Sequence, residues 1–112
     1  MNCITLCYTF YMKRFISGRP MEWDDNKNKI NKAKHGISFE TAAKVFDDIN
    51  RIEFYDEEHS SEEDRYIVLG LVRKVLFVVY TDRKDATRII SARKATAAER
   101  SVYYDDYPQN DT

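Results

Sequence analysis

The sequence predicts an α+β fold, with two N-terminal helices, a four-stranded antiparallel sheet and a C-terminal helix, on three observations. Val75-Leu76-Phe77-Val78-Val79-Tyr80 is a short β-branched and aromatic run that fits a buried strand. The polar stretch 81–86 joins it to a second run, Thr87–Lys94, at hairpin distance. Upstream, Phe39, Ala42, Ala43 and Phe46 recur at helical spacing and form a complete apolar stripe. Sequential strands with short joins make an antiparallel sheet, and helices outside the strand block gather on its faces.

The elements follow in order. Trp23-Asp24-Asp25 opens the first helix, because an aspartate near the N-cap accepts backbone N–H bonds. Its body is 26–34, Ile30 and Ala33 are its sparse apolar positions, and Gly36 stops it. Ser38 caps the second helix. Arg51-Ile52-Glu53-Phe54-Tyr55 alternates as a first strand, 56–64 is an acidic loop, and 65–70 is a second strand leading into the hairpin. Thr96-Ala97-Ala98-Glu99 has the spacing of a capping box. The last helix therefore runs over about 97–107, with Val102 and Tyr103 toward the core and Pro108 as its stop. Arg93 and Lys94 stand between a strand end and a helix N-terminus, a candidate phosphate site.

At 112 residues the chain is a single domain, and 43% hydrophobic with 33% charged residues argues against disorder. The net charge of −1 hides segregation: residues 1–46 carry +4, 47–64 carry −8, 65–100 carry +6 and 101–112 carry −3. Such a pattern permits a polyanion-binding face. Cys3 and Cys7 are the only cysteines, which excludes a disulfide framework and a four-ligand zinc pattern and suits a reducing cytoplasm. Residues 1–20 begin with an uncharged run too short to span a bilayer and end in Gly18-Arg19-Pro20. They read as an appendage outside the domain, with Met21 as the functional start, 21–107 as the domain and 108–112 as a tail.

Three blocks carry a family resemblance: Glu22-Trp23-Asp24 leading to Lys34-His35-Gly36-Ile37-Ser38-Phe39; Glu63-Asp64-Arg65-Tyr66 before Gly70; and Tyr80-Thr81 leading to Arg88-Ile89-Ile90-Ser91-Ala92-Arg93-Lys94-Ala95-Thr96 with Glu99-Arg100. In this order and spacing the chain resembles the BrnT family of type II toxins. The resemblance implies a RelE-like fold and endoribonuclease activity that halts translation; no cofactor is expected. It also implies a BrnA-like antitoxin, in a complex with two copies of each chain that binds operator DNA through the antitoxin. The alternatives are a non-catalytic module of the same fold that inhibits a protein target such as gyrase, and an accessory nucleic-acid binder.

Metal-independent RNA cleavage needs a proton carrier and cations on the phosphorane. His35 is the expected carrier, since histidine ordinarily titrates near about 6.5, and Lys34 stands beside it. Strict alternation puts Arg88, Ile90, Ala92 and Lys94 on one face of their strand and Ile89, Ser91 and Arg93 on the other, so Arg88 and Arg93 share a face only if a bulge intervenes. The expected phosphate clamp is Arg93 with Arg65 and Arg83, because a guanidinium pairs bidentately with phosphate. Arg88 is a second RNA contact or a structural partner for the acidic loop, Lys94 contacts RNA, and Tyr80 and Tyr103 are candidates to stack on bases. His59 among the acidic residues of 56–64 lacks the spacing of a calcium loop, and no metal site is expected.

Overall fold

In the computed structural model, which describes the backbone of residues 11–16 and all of residues 18–105, Asp24 sets the first helix. It sits at the N-cap in extended geometry and its carboxylate accepts from the Asn26 and Lys27 amides, so α1 (Asp25–His35) starts one residue later. Gly36 ends the helix at φ 75°, the left-handed position glycine occupies most easily. Ser38 caps α2 (Phe39–Ala42), which tightens at once into a 3-10 turn over Ala43–Asp47. All four stripe residues are buried, as expected.

The expected four-stranded antiparallel sheet is larger and mixed. Strands β2 (Arg19–Asp24), β3 (Ile52–Tyr55), β4 (Tyr66–Val72), β5 (Lys74–Asp82) and β6 (Thr87–Lys94) form five of its members, and β1 (Tyr11–Ile16) adds an edge to β2. The order is β1-β2-β6-β5-β4-β3, antiparallel throughout except where β2 runs parallel to β6. β2 escapes a sequence reading because its alternation is short and runs straight into the capping aspartate. Trp23, expected at the helix start, is instead a fully buried strand residue beside Met21. The expected domain start at Met21 falls inside β2.

α1 docks by polar rather than apolar side chains. Ile30 is 57% exposed, whereas Asn28 and Asn31 are buried. Asn28 accepts from the Phe39 amide and donates to Glu40. Asn31 donates to the Ile37 and Ala92 carbonyls and accepts from the Ala92 amide. On β4, a Cβ added to Gly70 would stand 2.7 Å from the Val45 Cβ, so glycine lets the 3-10 turn lie directly on the strand.

Two cores result. The larger fills one sheet face, where α1, α2 and the 3-10 turn cover Val68, Leu76, Val78, Ile89 and Ala92. On the other face α3 (Ala97–Asp105) covers only one end, with Tyr103 buried on Leu69, Val75 and Ala95. Val102, expected in the core, is 52% exposed. Asp48 accepts from the Tyr103 hydroxyl and from the Leu71 amide, which ties α3 to β4. The capping box forms as expected: the Thr96 hydroxyl accepts from the Glu99 amide and Glu99 accepts from the Thr96 amide. The expected end of this helix at 107, Pro108 and the tail 108–112 lie outside the described residues, as do Cys3 and Cys7.

Candidate active site

The uncovered part of the second sheet face and the loop before β4 enclose a groove of about 360 Å³. Arg65 and Arg93 line it together with Asp56, Glu58 and His59, over a floor of Ile67, Phe77, Val79, Ile90 and Ser91. Arg65 enters from the start of β4 and also lines a smaller depression with Lys27 and Arg88.

A bulge decides which arginines meet here. Val79 pairs with Ser91 but Tyr80 pairs with Ile89, leaving Ile90 as the extra residue of β6. Ile89 and Ala92 consequently both face the helix-side core, and Arg88 and Arg93 both fall on the open face. The parity conflict expected from strict alternation is thereby removed. Arg88 is already engaged, with its Nε 2.8 Å from the buried Glu22 on β2. That placement favours the structural alternative, although the partner is β2 rather than the acidic loop.

Arg93 is held rigidly. It makes a bidentate pair with Glu99 at 2.8 and 3.0 Å, donates to the Lys94 carbonyl, and lies 3.9 Å over the Phe77 ring. The hydrogen bonds from Arg93, chiefly, hold the Glu99 carboxyl below its ordinary range. Arg65 is the opposite case: its Nε is buried without a hydrogen-bond partner among the described residues. A buried donor left unpaired costs free energy.

His59, which sequence reasoning weighed only as a metal ligand, also lines the groove. Its Nδ1 lies 3.0 Å from the Asp56 carboxylate, which fixes the tautomer with Nε2 as the basic nitrogen. The signal was present as an Asp-x-x-His spacing, but it lay hidden in the acidic run. No group of three or more His, Cys, Asp and Glu able to hold a metal occurs among the described residues.

The other expected site residues lie elsewhere. His35 and Lys94 share a depression of about 290 Å³ away from the groove. Lys34 is exposed on α1. Arg83 pairs with Glu63 at 3.5 Å, in a loop closed by the Arg83 amide on the Ala86 carbonyl. Tyr80, expected to bind RNA, is 3% exposed and belongs to the core. It stacks on Tyr66, meets Phe46 edge-on and donates its hydroxyl to Glu53. Burial and then that hydrogen bond push its phenol well above the ordinary range. Tyr103 is likewise buried.

Comparison with known proteins gives one family, described as ribonuclease toxin, BrnT, of type II toxin-antitoxin system, whose model matches residues 23–99. The crystal structure of the Brucella abortus ribonuclease toxin, BrnT, is similar at a TM-score of 0.53 and 26% identity, over 66% of this chain and 92% of that one. No curated protein sequence matches.

Proposed function

The chain belongs to the BrnT family of ribonuclease toxins of type II toxin–antitoxin systems, and from that premise we propose that it is a metal-independent endoribonuclease whose RNA lies in the groove of Arg65, Arg93 and His59. One observation carries this reading: two guanidinium groups and a carboxylate-oriented imidazole converge on one concave surface beside half-buried apolar side chains. The imidazole takes the 2′-hydroxyl proton, and Asp56 stabilises the imidazolium that forms. The resulting alkoxide attacks phosphorus, and Arg65 and Arg93 oppose the charge that builds on the phosphoryl oxygens. Phe77 and Ile90 offer a seat for a base. The leaving 5′-oxygen receives a proton from the imidazolium or from water. Two guanidinium groups supply the charge stabilisation that a metal supplies in other nucleases, and this supports metal independence.

Cleavage of cellular RNA would halt translation. Membership of a type II family implies an antitoxin partner. A BrnA-like protein covering the cationic surfaces, in a complex with two copies of each chain that binds operator DNA through the antitoxin, is the form we propose for it. No helix among the described residues is long and apolar enough to cross a membrane, in keeping with the proposed cytoplasmic setting.

Incubation of the purified chain with RNA in EDTA tests the reading. Discrete fragments are expected, and His59→Ala or Arg65→Ala should lower the rate by about 10²-fold or more with folding intact. A requirement for Mg²⁺ would overturn metal independence. A loss that follows His35→Ala and spares His59→Ala would move the chemistry to the other depression.

A further inference from the structure

Two depressions meet at the end of the sheet where the β4–β5 hairpin turns. One, of about 290 Å³, contains His35, Arg73, Lys74 and Lys94; the other, of about 430 Å³, contains Lys74, Lys94, Arg100 and Tyr104. Lys74 and Lys94 belong to both, so the two form one continuous band around the sheet end. No carboxylate among the described residues lines either depression. Among the described residues Arg73, Lys74, Lys94 and Arg100 enter no ion pair. Four exposed cations without a counter-charge among the described residues repel one another, and the compact state tolerates them at a cost.

We infer that this band is a second binding surface for the RNA backbone, taking phosphates of the strand beyond the cut site. The inference rests on the nuclease reading for its direction. Arg93 and Lys94 are consecutive at the end of β6 and point to opposite faces of the sheet, one in the groove and one in the band, so a strand leaving the groove at Arg93 reaches Lys94 and Lys74 by rounding the sheet end. Tyr104 is 46% exposed, which gives the band an aromatic ring of the kind on which bases stack. An acidic protein segment would meet the same charges but gains nothing from continuity with the groove. The substrate is accordingly a single strand longer than the groove itself.

Binding of an uncleavable 2′-O-methyl RNA, long enough to run past the groove, can be followed against salt concentration. The slope of log K with log salt is expected to fall by about 1.4 in Lys74→Gln/Lys94→Gln, since each single-strand phosphate contact contributes about 0.7. Both side chains are exposed, and Lys74→Gln alone, which lies outside the groove, should cleave a dinucleotide confined to it as the wild type does. If the double variant does not fold, the single variants carry the test at about 0.7 each. An unchanged slope overturns the inference. So does a slope change seen with a polyglutamate peptide and not with RNA, which would make the band a protein-docking surface. A wild-type chain that shows the slope difference but cleaves nothing would leave the band standing and remove the nuclease reading.

Discussion

Asn31 shows how much one polar side chain does in this fold. Its amide bonds both backbone groups of Ala92 and the Ile37 carbonyl, so Asn31→Ala leaves buried backbone groups unpaired. The expected loss is about 1–3 kcal/mol, read from the midpoint of a urea melt at constant m. Glu99 and Glu53 make stability depend on acid. Glu99 is held below its ordinary value of 4.5 by the hydrogen bonds of Arg93. Glu53 feels burial pushing it up, but the hydrogen bonds from Tyr80 and Arg51 outweigh that and lower it. A depressed carboxyl pKa contributes stability that is complete above the unfolded value and disappears as pH falls through the folded one. The chain should therefore lose stability as pH drops below about 4.5, and Glu99→Gln should show a smaller drop between pH 7 and pH 3. An equal drop in both proteins would mean that the pair is too solvated to count.

Legibility in sequence varied by element. The stripe of α2, the capping box of α3, the hairpin of β5 and β6 and the stop at Gly36 were readable, because each is written in neighbouring residues whose local preference agrees with the fold. β2 was not, since its identity as a strand comes from pairing with β6, more than sixty positions away. The lining of the candidate groove divided the same way. Arg65 and Arg93 were legible as strand-end cations, and the need for a bulge was too. That Ile90 supplies it emerges only from the register with β5. His35 was favoured over His59 because a histidine before glycine stands out, while one inside an acidic run is masked by its neighbours.

At the scale of the whole molecule, the family match begins at residue 23, and β1 upstream of it pairs with β2 from Tyr11 with Asp24 to Ile16 with Arg19. Arg19 belongs with the domain: it donates to Thr87 and lies 4.4 Å over the Phe46 ring. A chain starting at Arg19 is expected to melt cooperatively within about 1 kcal/mol of the full-length protein; a loss of several kcal/mol would make β1 part of the folded core. The contact of Asn31 with Ala92 also has a consequence for solubility. β2 pairs with β6 only at Met21 with Thr87 and Glu22 with Arg88, so beyond that point the lateral margin of β6 would be bare backbone. A bare margin is a template on which a strand from another molecule can add. Asn31 closes it with an amide, which makes a side chain on a weakly amphipathic helix a guard against self-association.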